Sequence, residues 1–397
     1  MADTHFELDA LVVGGGIAGL LTLDALHQRG VHAWLIEQTA LGHGQTVWSQ
    51  GIVHGGLKYA LGGSVGEAAK AVSAMPDRWR AMLDGDAEPN LSAVTMRAQA
   101  CAIWSTGSAA SMVGLLGAKL TLQSAPEAWP SNSIPQALSG VRGRVLRVAE
   151  PVLEPEHLMS VLGTMHHDRM MLGCVSGIDS SDDGTSIRVD TSTGPIDITC
   201  RHLCLLSGSG NEALRELAGL TPGRMQTRPL RMVLARGDLP VLNGHCIRGT
   251  KPWLTITTVA DDSDGRIWQI GGEVAEWGAT ESSTATIERA TAAVATALPS
   301  LELSGIEWAT YEAPRAERST DDGGRPDTPA VLEEGCMLTG WPTKMALAPI
   351  LADDLAGRIR AGAEPTNVPK QYERPTAATP PWREVEQWTS VHSDIPA

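Results

Sequence analysis

The chain has 397 residues, 42% of them hydrophobic, which suffices for a substantial core and sets a length expectation of two or three domains. Its formal net charge of -15, from 31 Lys and Arg against 46 Asp and Glu, comes without any basic block, which excludes nucleic acid as a partner. Met1 to Glu7 hold two acids and no Lys or Arg, unlike a secretory signal, and the apolar stretch from Leu8 to Leu26 is broken by Asp9, Asp24 and glycines, unlike a membrane span.

Residues 9–37 read as strand, glycine turn, helix, strand. Ala10-Leu11-Val12-Val13 is a short apolar run ending in Gly14-Gly15-Gly16-Ile17-Ala18-Gly19. Leu20 to Leu26 continue on a helical face, and Gly30 closes the helix. Ala33-Trp34-Leu35-Ile36 is the second strand; it ends in Glu37 and completes a βαβ unit. Residues 64–84 read as a helix with Pro76 as a kink or break, 93–104 as a strand, and 108–122 as a short helix plus strand. Pro126, Pro130 and Pro135 mark a loop region. A helix is expected from Glu156 to about Met170, then short strands near 171–178 and 185–190 around Asp182-Asp183-Gly184. His202 to Leu206 is a buried strand ending in Ser207-Gly208-Ser209-Gly210; the thiols of Cys200 and Cys204 in this region read as small apolar groups. Residues 230–273 alternate like antiparallel strands, with Trp253–Val259 and Arg266–Ile270 forming a hairpin about Asp264-Gly265. A helix over 284–298, a strand near 306–312, and a strand over 336–339 feeding a helix from about 345 to 361 follow. Beyond Gly362 the proline-rich chain is expected to be an extended tail, wrapped on the surface or disordered. The six cysteines are scattered without metal-type pairs, so a reducing cytoplasm is the expected compartment.

Gly14, Gly16 and Gly19 form G-x-G-x-x-G between a strand and a helix. The first glycine allows the tight turn, the second lets backbone approach a pyrophosphate, and the third lets helix pack on strand. The helix N-terminus offers free N–H groups and a favourable dipole to phosphates. Glu37 lies 18 residues beyond Gly19, where a carboxylate accepts hydrogen bonds from ribose hydroxyls and repels a 2′-phosphate. A dinucleotide other than NADP is therefore expected. The glycine spacing leaves FAD and NAD open.

Five segments together resemble the D-amino-acid oxidase / glycerol-3-phosphate dehydrogenase superfamily of FAD oxidoreductases, over about residues 8–362. They are Val12 to Glu37, Thr46 to Tyr59, Leu203 to Gly210, Trp308 through Arg315 to Pro326, and Leu338-Thr339-Gly340 through Ala348-Pro349. The run His54-Gly55-Gly56-Leu57-Lys58-Tyr59, after Ser49-Gln50-Gly51, is similar to the flavin-side segment of glycerol-3-phosphate dehydrogenases and L-2-hydroxyglutarate oxidases. The resemblance implies FAD as cofactor, with Gly14, Gly16, Ile17, Ala18 and Gly19 on the ADP half and Glu37 and Gln38 after the second strand. It further implies cofactor contacts from Gln45, Thr46, Ser49, Gln50 and Gly51 in the next loop, from Val175, and from Ser207 and Gly208. Gly340, Thr343, Lys344 and Met345 complete the set in a final loop whose N–H groups would face the flavin N1–O2 edge. That loop has fewer glycines than is usual, and Ser-Gly-Ser-Gly replaces the usual Ala-Gly turn.

Three residues are candidates for the chemistry. His54 is a candidate base; the alternatives are a histidine fixing its loop through backbone, or one tethered to the flavin. Arg315 stands where amino-acid-oxidising relatives hold a carboxylate-binding arginine, the alternative being an ion pair with Glu312 or Glu317. Lys344 either meets an anionic substrate or dioxygen, or points to solvent. Lys58 and Tyr59 are candidates for shaping the pocket, Trp48, Trp253 and Trp268 for walling it; Arg228 and Arg231 are weaker candidates. No Ser-His-Asp arrangement, P-loop or metal-ligand cluster is visible, and no metal is expected.

The expected fold is α/β: a Rossmann-like, glutathione-reductase-like FAD domain built from 1–90, 150–225 and 315–362, and an antiparallel-sheet substrate domain from 91–149 and 226–314, followed by the tail 363–397. The expected function is hydride transfer to flavin N5 from a small anionic substrate, a 2-hydroxy acid or polyol phosphate, with dioxygen or a quinone or other carrier reoxidising the flavin. Oxidation of an amino acid or secondary amine is the alternative, and a non-catalytic flavin-binding subunit the third.

Overall fold

The structure, a computed structural model, describes residues 5–56, 71–106, 126–181, 184–249, 251–261 and 265–391. Strand β1 (His5–Val13), helix α1 (Ile17–Gln28) and strand β2 (Ala33–Glu37) form the expected βαβ unit. The apolar runs of β1 are buried because the strand is central: it pairs in parallel with β2 on one side and with Gly194–Leu205 on the other. Met170–Leu172 extends the sheet beyond β2; Met337–Trp341, then Ala330–Glu334, extend it beyond Gly194–Leu205. The chain moves from the centre to one side, then to the other, so a crevice opens at the carboxyl ends of β1 and its neighbour. Such switch points hold ligands in open α/β sheets.

Among the described residues the second sheet has nine strands, including Cys101–Ser105, Arg231–Gly237, Gly244–Arg248, Lys251–Ala260, Arg266–Gly271 and Glu307–Glu312. The expected hairpin is present, with Thr258 opposite Trp268. The sheet is not wholly antiparallel: Gly244–Arg248 runs parallel to Cys101–Ser105. These two strands are separated in sequence by segments belonging to the first sheet, so no hairpin constrains their direction. Helix Ser283–Ala297, capped by the Ser282 hydroxyl on the Ala285 N–H, covers the face whose core contains Trp104, Trp268 and Trp308. Six tryptophans, Trp34, Trp79, Trp104, Trp268, Trp308 and Trp341, are fully buried, so tryptophan here does the packing that phenylalanine does elsewhere.

Local differences from the sequence reading have simple causes. Residues 93–104 split into Met96–Ala98 and Cys101–Ser105, which pair in different sheets. At Pro76 the expected break is present: residues 71–73 are helical, Ala74 is a turn, and helix Met75–Leu83 starts anew with Pro76 in its first turn, as its missing N–H permits. The helix after residue 155 ends at Met165 and gives way to a single 3-10 turn, His167–Arg169. The elements expected over 108–122, the part of 64–84 before residue 71, and the turn residues Asp182, Asp183 and Asp264 lie outside the described residues.

The tail is ordered along its described length and crosses both sheets. The N–H groups of Gly362 and Ala363 donate to the buried Asp9 carboxylate at 3.0 and 2.9 Å. The Leu41 N–H donates to Thr376 O at 2.8 Å, and the Ala378 N–H to Leu41 O at 2.9 Å. Further on, Thr389 pairs with Trp308 at the edge of the second sheet.

Candidate active site

A cleft of about 830 Å³ runs from the β1–α1 turn to the second sheet. At its first end Gly14 has φ 115°, and a Cβ there would lie 2.6 Å from Leu206 O. A Cβ on Gly19 would lie 1.9 Å from Gly14 O. Both glycines are therefore required by backbone packing. Gly16 differs: its φ of -76° suits any residue, and a Cβ would meet only the Thr46 hydroxyl at 3.3 Å. What a side chain at Gly16 would fill is the cleft itself, as a phosphate cradle demands.

The neighbouring side chains hold this turn open. The Glu37 carboxylate accepts from the Gly15 N–H at 2.7 Å and from the Thr39 N–H at 2.8 Å while lining the cleft. The Thr46 hydroxyl accepts from the Ile17 N–H at 3.2 Å, which fixes the loop 43–51 over the start of α1. Ser207 donates to Val13 O at 2.9 Å, and Asn211 links its turn to Gly340 through a 3.2 Å bond. Gly16, Ile17, Ala18, Gln38, Val175 and Gly208 all face the same cleft. Gly19 does not line it; it acts through packing.

Toward the second sheet the cleft changes character. The Gln50 amide donates to Thr255 O and Gln269 O, both at 2.9 Å, and the Tyr311 hydroxyl donates to Trp48 O at 2.8 Å. These bonds pin the loop containing Ser49 and Gly51 to the second sheet. Burial pushes the Tyr311 hydroxyl far above its ordinary range, so it stays a neutral donor. Gln45 accepts from the Ala316 N–H at 3.0 Å and so positions the strand that carries Arg315. The final loop, Gly340 to Met345, meets the others at Ser49 and Met345. Within it Thr343 has φ 64°, a left-handed conformation that glycine adopts without strain and a β-branched residue does not.

His54, Arg315 and Lys344 all line the cleft, together with Arg228 and Arg325. Arg228 is engaged by Glu317 at 3.0 Å and Glu276 at 3.8 Å. Arg231 lies outside the cleft, bound to Glu312 at 2.6 Å. The Arg315 side chain makes no hydrogen bond or ion pair among the described residues; of its two alternative partners, Glu312 holds Arg231 and Glu317 holds Arg228, although the Glu317 charge still acts on it. Desolvation, with Arg325 and Arg228 nearby, pushes its guanidinium down to about 9, which still leaves it charged at neutral pH. An unpaired cation in this setting is held at a cost and is ready for an anion. Trp48 walls the cleft; Trp268 is core, and Trp253 lies away from the cleft under Arg248. Leu57, Lys58 and Tyr59 lie outside the described residues.

Sequence reasoning missed two members of the site. Glu150, wholly buried, accepts from the Gly55 N–H at 2.6 Å and faces His245 Nε2 at 3.3 Å and His54 Nδ1 at 3.6 Å. Burial alone would raise the Glu150 carboxyl, but hydrogen bonds and charge from His245 and His54 outweigh it and hold the group below the usual carboxylate range. His54 is lowered, first by desolvation and further by His245 and Lys344, against the opposing pull of Glu150. Although 41% of its side chain is open to the cleft, the protein surrounds it closely enough to thin its hydration. The three residues are some 90 positions apart along the chain. In the sequence Glu150 is one acid following the Val145–Val148 run, with Arg147 close by as an ordinary partner, and nothing marks it as a residue of the site.

The family model "FAD dependent oxidoreductase" (DAO) matches residues 9–358. The chain belongs to that family. It is an FAD-dependent oxidoreductase, and the open cradle at Gly16 with the cleft beyond it fits the cofactor. Among its relatives is the "Probable FAD-dependent oxidoreductase PA4991" of Pseudomonas aeruginosa, 36% identical over 382 residues that cover 94% of this chain and 97% of that protein. The crystal structure of PA4991 aligns with a TM-score of 0.82 at 33% identity, over 97% of this chain and 99% of that one. Glycerol-3-phosphate dehydrogenase 1 of Mycobacterium tuberculosis is 45% identical over 65 residues, 16% of this chain and 12% of that protein. Glycine oxidase from Geobacillus kaustophilus shares the fold, with a TM-score of 0.64 at 15% identity over 90% of this chain and 96% of that one. Among the described residues, no helix is long and apolar enough to cross a membrane.

Proposed function

We propose that this oxidoreductase oxidises a small anionic C–OH substrate, a 2-hydroxy acid or a polyol phosphate, whose anionic group rests on Arg315. The observation that carries the reading is the unpartnered Arg315 guanidinium, charged at neutral pH and flanked in the cleft by Arg325 and Arg228. Arg228 beside it is already engaged by Glu317 and Glu276, so the anionic group, a carboxylate or a phosphate, would rest on the Arg315 fork itself. The cofactor segments Gly14 to Gly19, Glu37-Gln38, Gln45 to Gly51, Val175, Ser207-Gly208 and Gly340 to Met345 would hold FAD along the rest of the cleft.

Bound FAD supplies a two-electron hydride acceptor. The chain supplies the rest. Arg315 binds and orients the anion. His54, neutral near pH 7 because burial lowers its basicity, takes the hydroxyl proton as the carbon gives up its hydride and becomes a carbonyl. Lys344, at the mouth of the last helix, adds positive charge on the same side. Oxidation of an amino acid or secondary amine is the second reading, favoured by the same Arg315, which suits a carboxylate as well.

Anaerobic mixing of the yellow protein with 2-hydroxy acids, polyol phosphates and amino acids separates the two. Bleaching by the first two classes is the expected result. Bleaching by amino acids alone would sink the primary reading, and bleaching that Arg315→Met leaves unchanged would remove Arg315 from substrate binding.

A further inference from the structure

A fully buried carboxylate is tolerated only where its lone pairs are met by donors. Glu150 meets this condition in an unusual way. One oxygen takes the Gly55 N–H at 2.6 Å; the other faces His245 Nε2 at 3.3 Å and His54 Nδ1 at 3.6 Å. Ionised, Glu150 can only accept, so each imidazole nitrogen turned toward it must carry a proton. His245 satisfies this with Nε2–H and pairs its Nδ1 with the Thr255 hydroxyl at 3.0 Å. It is also fixed by the second sheet, opposite Thr255 on one side and Ile103 on the other.

The same logic applied to His54 puts its proton on Nδ1 and leaves Nε2 with the lone pair. Of the three side chains only that of His54 is open to the cleft, 41% against 0% for Glu150 and 2% for His245. The separation is set by backbone: the Val53 N–H donates to Pro151 O at 2.9 Å and Ile52 bridges Val152, so the two segments are clamped together. We propose that Glu150, steadied by His245, is a positioning residue that holds His54 in its Nδ1–H tautomer with Nε2 presented to the substrate. The proposal rests on the reading of His54 as the proton acceptor. The 3.6 Å separation is that of a contact which tightens once substrate charge develops. Among the described residues, the charged and titratable groups that act on His54 are Glu150, His245 and Lys344.

The test is nitrogen NMR of the FAD-loaded protein with labelled histidine, which reads tautomer and titration without any substrate. The expected result is His54 protonated on Nδ1 at neutral pH, titrating below the ordinary value of about 6.5. Glu150→Gln keeps the shape and removes the charge that raises His54. Its midpoint should move to lower pH, and the single tautomer should be lost. His245→Gln is the second variant, needed if the first does not fold. It removes the imidazole that opposes protonation of His54, so the midpoint should move up while the Nδ1–H tautomer persists. A protein merely deprived of packing has no reason to show these opposite shifts.

An Nε2–H tautomer in the parent protein, or a His54 indifferent to Glu150→Gln, would overturn the proposal. So would one equivalent of divalent metal in the freshly purified protein, because the three ligand atoms lie within 4.8 Å of one another and a cation would consume the lone pairs. Flavin reduction unimpaired in His54→Gln would overturn proton transfer by His54 and the positioning role with it. A wrong tautomer overturns the positioning role alone.

Discussion

The two ends of the cleft are built on opposite plans. The cradle end is local: Gly14 to Glu37 fall within one βαβ unit, and it is lined by the glycine turn and the Glu37 carboxylate. The chemical end is assembled from five distant segments carrying His54, Glu150, His245, Arg315 and Lys344, and it concentrates charge. A local turn is specified by sterics and fails by collapse. A dispersed charged cluster is specified by the whole fold and fails by degrees.

The largest expected effect lies at the cradle. Gly19→Val would drive a side chain into Gly14 O, 1.9 Å from the new Cβ, so both folded yield and bound flavin should be lost. Gly16→Val should fold and melt normally yet purify colourless, because the new side chain occupies only the cleft. Flavin absorbance alongside a melting curve checks the pair. If Gly16→Val keeps its flavin, the phosphate cradle is elsewhere.

Arg315→Met comes next and should act in two directions. Losing a charged hydrogen-bonding partner for the substrate anion is worth about 2–5 kcal/mol, so affinity should fall about 30-fold or more. The ligand-free protein should become more stable, since a partly buried cation without an ion-pair partner among the described residues is gone. A drop in ligand-free Tm would count against the strained-cation account. The same account fixes a pH dependence: an anion that raises the Tm through Arg315 should lose its effect as pH rises through about 9, where the guanidinium gives up its proton. Substrate-driven flavin reduction should fall on acidification, with a midpoint under the ordinary histidine value, because protonated His54 cannot accept.

Smaller effects are expected between the two ends. Gln50→Leu removes the two amide bonds to Thr255 O and Gln269 O, a loss of about 1–3 kcal/mol measurable in urea. Thr343→Gly exchanges left-handed strain of about 1–2 kcal/mol for a lost bond to Thr328 O worth about 1 kcal/mol and a looser unfolded chain. Its Tm should stay close to that of the parent, and a collapse there would mean that Thr343 does something other than hold the turn.

The same contrast explains what the sequence disclosed. The cradle was legible because the requirements of Gly14, Gly19 and Glu37 are met within one unit of strand, turn and helix. The family resemblance extended that reading to Thr46, Ser207, Gly340 and Lys344, which line the same cleft. Glu150 and His245 were invisible, because nothing local to either requires the other; only the packing of residues 52–55 on 150–153 and on the second sheet brings them together. Arg315 was legible as a candidate but not as an unpaired cation. The acids nearest to it in sequence, Glu312 and Glu317, turn to other arginines.

The tail has a mechanical consequence. A strand of chain that is bonded to Asp9 under the first sheet, bridged to Leu41 beside the cradle and zipped to Trp308 at the rim of the second works as a tether across the two halves. Swinging the halves apart would strip those anchors in turn. Entry by parting the halves is thereby opposed, and selection among visitors falls to the shape and charge of the doorway.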